Sequence, residues 1–140
     1  MNKMKIAIVL ALFVVFVTGV TAQSKGQSPE ELLRRARDLA RRYENLERET
    51  KESPKAYASK FSEENRERVQ KNRENNLLKQ SRSLEDESSR LSNDLAYASF
   101  NLASGGNKAW TNEQNSALID AVRRVNNAQS QIARNVSRWQ

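Results

Sequence analysis

The chain is 140 residues long, carries 24 Lys plus Arg against 17 Asp plus Glu for a net charge of +7, and has no Cys, no His, four Gly and two Pro. That length holds one domain, and the absent residue types exclude disulfides, thiolate nucleophiles, zinc fingers, haem histidine ligation and serine–histidine triads. So few glycines leave no room for a phosphate-cradling loop, and neither the dinucleotide-binding nor the P-loop glycine pattern occurs.

The N-terminus begins with the charged stretch Met1 to Lys5, continues as an apolar run from Ile6 to Val17, and ends in Thr18-Gly19-Val20-Thr21-Ala22. This three-part order predicts a secretory signal peptide over residues 1–22, with small residues at Val20 and Ala22 to permit cleavage before Gln23. The alternative is an uncleaved anchor, because Ile6 to Ala22 sits at the lower limit of about 17 residues for a bilayer span. Either way the remainder is expected outside the cytoplasm, periplasmic or secreted, and membrane-anchored if the signal stays. A small, disulfide-free helical chain points more to a periplasm. Removing Lys3 and Lys5 lowers the net charge but leaves the remainder basic.

Residues 23–27 hold no large apolar side chain and are expected to be a disordered leader. A helical domain then spans 28–140. In Ser28-Pro29-Glu30-Glu31 the serine can cap, proline suits the first helical position, and Glu31 can close a capping box. Beyond this start, Leu32, Ala36, Leu39, Tyr43 and Leu46 recur at steps of four and three, which predicts a helix over 29–51 with one apolar stripe. Its charges fall one turn apart, as in Glu30 with Arg34, Glu31 with Arg35, Asp38 with Arg42, Glu44 with Arg48 and Glu47 with Lys51. Each such pair contributes about 0.2–0.5 kcal/mol.

Ser53-Pro54 repeats the serine–proline start, and nothing forbids helix from there to Gly105-Gly106, a span of about 75 Å if unbroken. From Ser62 to Asn76 the only large apolar residue is Val69. Leu84, Leu91, Leu95, Ala98 and Leu102 then restore a stripe. The pattern changes at Asn75-Asn76 and Ser81-Arg82-Ser83, where Ser83 could cap a new helix, so two helices are predicted, 54–80 and 84–104.

Thr111-Asn112-Glu113-Gln114 opens the last helix, 112–139, with a capping box. Along it, Leu118, Val122, Val125, Gln129, Ile132, Val136 and Trp139 alternate in steps of four and three. This is a heptad seam with one polar member, able to pack within the chain or against a second copy. A connection of about six residues favours antiparallel neighbours. The expected fold is therefore all-α: a small elongated helical bundle, in which 84–104 and 112–139 form a coiled-coil-like antiparallel hairpin and the first helix packs its stripe upon it.

No catalytic, cofactor-binding or metal-binding residue emerges. Glu63, Glu64 and Glu67 cluster, as do Glu85, Asp86, Glu87 and Asp94. General acid–base work needs two carboxylates converging on a pocket, whereas Glu64, Glu67 and Asp86 have Arg68, Lys71 and Arg90 one turn away, the pattern of solvated helix pairs. No calcium-loop spacing occurs. Segment 53–83 is the most basic, yet Lys60, Arg66, Arg68, Lys71 and Arg73 scatter around the helix instead of sharing a face. The aromatic residues fall on or beside apolar stripes, where packing is the expected role. Asn135-Val136-Ser137 matches the glycosylation pattern but lies within a helix and is read as coincidence.

Two functional classes remain. The first is an exported, non-catalytic interaction module, a scaffold, adaptor or chaperone-like binder that meets a protein partner or itself. The second is a binder of anionic lipid or envelope polysaccharide, using Lys60, Arg66, Arg68, Lys71 and Arg73 with Arg134 and Arg138 of the basic last helix. Export disfavours nucleic acid, and no cofactor is implied.

Overall fold

A computed structural model describes residues 28–103 and 110–139, and these are all-α with no strand among them. Four helices follow in order: α1 (Pro29–Thr50), α2 (Pro54–Ala58), α3 (Glu63–Ala103) and α4 (Asn112–Ser137). The expected signal segment, the leader 23–27 and the Gly105-Gly106 stop lie outside the described residues.

α1 starts at the serine and proline that its sequence offers, while the Glu31 carboxylate turns to Arg34. Ser28 is extended, its Oγ accepts from the Glu31 amide at 3.2 Å, and Pro29 occupies the first turn. The helix buries two adjacent rows, Leu32, Ala36, Leu39, Tyr43 and Leu46 beside Leu33 and Ala40. That double row gives α1 a face wide enough for two neighbours. α4 lies parallel to it, with Glu30 bonded by Gln114, Glu44 by Arg124 and Thr50 by Asn135. α3 lies antiparallel, with Arg35 meeting Asp94, Tyr43 meeting Ser88 and Glu49 meeting Arg73. α1 is thus the central helix.

The expected hairpin of the last two helices is corrected accordingly. Their described parts run in opposite directions, but each packs on α1, and no Cα of α3 comes within 8 Å of one in α4 among the described residues. The cause is the second apolar row of α1, Leu33 and Ala40, which lets one helix serve both partners.

A second difference lies in α3. The break expected near 75–83 is absent, and 41 residues form one helix. Leu77, Ser81, Leu84, Ser88, Leu91 and Leu95 are buried along a single row of alternating fours and threes. Ser81 and Ser88 are small enough to hold seam positions that a hydropathy pattern scores as polar. The chain bends earlier, at 59–62. There Ser59 Oγ donates to the Ala56 carbonyl at 2.5 Å, and Asn65 Nδ2 donates to Ser62 Oγ at 2.7 Å. The Ser59 side chain, bonded to nearby backbone, competes with the helix and ends α2 after one turn, and Ser62, which holds the Asn65 side chain, precedes the first turn of α3.

At about 1.5 Å per residue α3 spans about 62 Å and α1 about 33 Å, so the N-terminal part of α3 runs past the end of α1. α2 folds back to cover it, burying Pro54 and Ala58, with the Arg73 guanidinium 4.5 Å above the Tyr57 ring.

One core joins α1, α3 and α4. Leu32, Leu39, Leu46, Leu77, Leu91 and Ile132 are each 1% exposed or less, and burial of each such side chain stabilises the fold by about 1.5–3 kcal/mol. One polar layer crosses the core. The Tyr43 hydroxyl lies 3.0 Å from Ser88 Oγ and is also held by Gln129, so α1, α3 and α4 meet at one phenol. Charges flank the core. Arg35 Nη1 donates to Asp94 at 2.5 Å, with both side chains largely shielded, and Arg124 clasps Glu44 with two bonds of 2.5 and 3.1 Å. Only some acids of α1 pair within their own helix, Glu31 with Arg34 and Asp38 with Arg41, three residues on rather than four.

Candidate functional site

α1 and α4 run parallel, and both finish at the same pole of the molecule. The last carbonyls of a helix have no partner within it. Here α4 and Trp139 just beyond it supply them. Asn135 Nδ2 donates to the Glu47 carbonyl at 3.2 Å and to Thr50 Oγ1 at 3.1 Å, and Trp139 Nε1 donates to the Thr50 carbonyl at 3.0 Å. Thr50 Oγ1 itself donates to the Glu47 carbonyl at 2.8 Å.

Around this cap opens a groove of about 770 Å³, walled by the ends of α1 and α4 and by the start of α2. Its lining is polar. Lys51, Arg134 and Arg138 bring three cations, Glu47 and Glu52 two carboxylates, and Gln131, Asn135 and Ser53 neutral polar groups; Trp139 and Ala56 complete it. Glu52 is held by Lys60 at 2.9 Å. Among the described residues, the side chains of Lys51, Arg134 and Arg138 have no hydrogen-bond or ion-pair partner. A smaller hollow of about 410 Å³ between α1 and α3 is lined by Arg42, Asn45, Asn76, Lys79, Gln80, Ser83 and Leu84.

The seam residues of the last helix all face the interior of this chain. Leu118, Val125 and Ile132 are buried, and Val122, Val136 and Trp139 are half-buried against the same core. The basic candidates are divided. Lys60 is tied to Glu52, and Arg73 stacks on Tyr57 with Glu49 at 3.7 Å. Arg66 Nε donates to the Phe61 carbonyl at 3.2 Å and Arg68 to Asn65 at 2.9 Å, while Lys71 is exposed. Arg134 and Arg138 alone converge, and they do so with Lys51, which the sequence did not single out. The parallel pairing of α1 with α4 joins them, and no local signal encodes it.

No protein-family model, curated protein or solved structure matches the chain.

Among the described residues, two large apolar side chains are exposed. Phe61, in the bend between α2 and α3, is 42% exposed and stands 5.6 Å from the Tyr57 ring. Ile119 on α4 is 59% exposed. Among the described residues no group of three or more Asp or Glu side chains is placed to hold a metal ion, and no helix is long and apolar enough to cross a membrane. The perturbed titrations are structural. Burial raises the Tyr43 phenol, opposed by its bonds to Ser88 and Gln129, and the hydrogen bonds from Arg124 hold the Glu44 carboxyl below its ordinary range.

Proposed function

We propose that this chain is an exported, non-catalytic interaction module, a scaffold, adaptor or chaperone-like binder of the periplasm or secretome. The observation that carries it is the aromatic pair at the bend, Tyr57 and Phe61, with Phe61 left 42% exposed where α3 outruns α1. Aromatic side chains presented at an edge anchor protein interfaces, where one or two of them supply most of the affinity. The seam of α4 is occupied by α1, so a partner is met through the bend and the long flank of α3 instead.

The test is a pull-down of residues 23–140 from an envelope or secretome extract at about 50 mM and about 500 mM salt, a contrast that separates apolar from counterion-driven binding. A protein retained at both salts by the wild type and lost by Phe61→Ala supports the reading. Retention indifferent to Phe61→Ala, or no protein retained at high salt, overturns it. A second reading, contact with anionic lipid or polysaccharide, is favoured by one feature, the three uncommitted cations of the polar groove.

A further inference from the structure

We infer that the groove between the ends of α1, α2 and α4 binds an anionic saccharide, a sugar bearing a carboxylate or phosphate, with Trp139 as its stacking face and Lys51, Arg134 and Arg138 as its anion contacts. The inference is independent of the aromatic bend, whose loss leaves these residues in place.

Three observations combine. First, the groove's volume of about 770 Å³ falls in the window of about 300–1,000 Å³ typical of small-molecule sites. Second, its charge is unbalanced. Among the described residues, Lys60 neutralises Glu52, which leaves Glu47 as the one uncommitted carboxylate facing three cations whose side chains have no partner. Cations near helix C-termini offset the negative end of the dipole, which accounts for a favourable position but not for convergence on one concave surface. Third, the apolar lining is minimal. Trp139 is fixed by its Nε1 bond to the Thr50 carbonyl, so its ring is a preset platform, and Ala56 is the only other apolar residue there.

This chemistry discriminates between ligands. An apolar peptide side chain finds no pocket, and a bare anion gains nothing from a tryptophan. A sugar offers an apolar C–H face to the ring, hydroxyls to Gln131, and an acidic group to the two arginines. Arginine is the residue suited to planar, two-point contacts with carboxylate and phosphate.

The experiment uses the full chain carrying Trp110→Phe, which leaves Trp139 as the only tryptophan of the two in the sequence. Its fluorescence is titrated with an oligogalacturonate, a sugar phosphate, a neutral oligosaccharide of matched length, inorganic phosphate and polyglutamate. A saturable change with one or both acidic sugars is expected, and which of them binds separates carboxylate from phosphate as the recognised group. Arg134→Gln combined with Arg138→Gln lies on exposed positions and, with helical content checked by circular dichroism, weakens that binding by about tenfold or more. Equal response to the neutral sugar, equal affinity for inorganic phosphate or polyglutamate, absence of any saturable change, or unaltered affinity in the double variant each overturns the inference. None of these outcomes bears on Phe61 or on a protein partner.

Discussion

Replacing Tyr43 with Phe removes one oxygen from the point where three helices meet. Tyr43, Ser88 and Gln129 are each 3% exposed, so water cannot replace the lost hydroxyl. A net hydrogen bond is worth about 0.5–1.5 kcal/mol, and stranding a buried partner raises the loss to about 1–3 kcal/mol. Ser88→Ala in the same background removes the stranded partner, so the double variant is expected to lose less than the sum of the two single changes, with a coupling of about 1 kcal/mol. Urea unfolding followed by circular dichroism measures this as a lower midpoint at constant slope. The same phenol governs alkaline behaviour. Burial raises its pKa above the ordinary 10.0, so on raising pH the unfolded chain releases this proton first. The stabilisation is whole below pH 10 and drains away above it until the folded value is passed. Tyr43→Phe should abolish that slope. A change below about 0.5 kcal/mol, or strict additivity with Ser88→Ala, would refute the view that this layer ties the three helices together.

Other perturbations test other joints. Ile132→Ala empties a site with no exposure and should cost about 2–5 kcal/mol, whereas Val122→Ala, half-buried on the same seam, should cost clearly less in the same unfolding assay. Trp139→Phe keeps a ring but removes the bond to the Thr50 carbonyl, and about 1 kcal/mol of stability should go with it; unchanged stability would deny α4 its capping role. Arg124 lowers the Glu44 carboxyl below 4.5, so this pair stabilises the fold above that pH and ceases to as pH falls through the folded value. Both side chains are more than a third exposed or nearly so, which limits the effect to about 0–1 kcal/mol. Glu44→Gln should therefore weaken the protein slightly near neutral pH, less in salt, and not in acid.

The starts of α1, α2 and α4 were legible because each is written locally, whereas that of α3 at Glu63 fell inside the helix expected over 54–80. Ser28-Pro29, Ser53-Pro54 and Thr111 with Gln114 all cap as their side chains dictate. The stripes of α1 and α4 were legible too, since leucines and valines repeat at a helical period. What escaped depended on distant chain. The continuity of α3 rests on Ser81 and Ser88, which are buried only because α1 covers them. The central place of α1 rests on Leu33 and Ala40, a second row that acquires meaning only with two partners present. Arg35 and Glu44, placed by spacing with acids or cations of their own helix, turn to α3 and α4 instead. The groove assembles residues more than 80 positions apart, as the Asn135 and Trp139 bonds to Thr50 show, so its cations read as a scattered surface until the fold joins them.

The parallel union of α1 with α4 also sets how the core can close. Pairs such as Glu44 with Arg124 and Thr50 with Trp139 are separated by 80 and 89 residues. α1 packs on both α3 and α4, so its core face is covered on both sides only once α4 docks. Contacts so remote in sequence give a small helical protein a topology that slows folding, because a long loop must close before the core rewards it. Asn135 and Trp139 thus act as a latch on α1, since their bonds to Glu47 and Thr50 close only after the intervening 85 to 89 residues have been brought together.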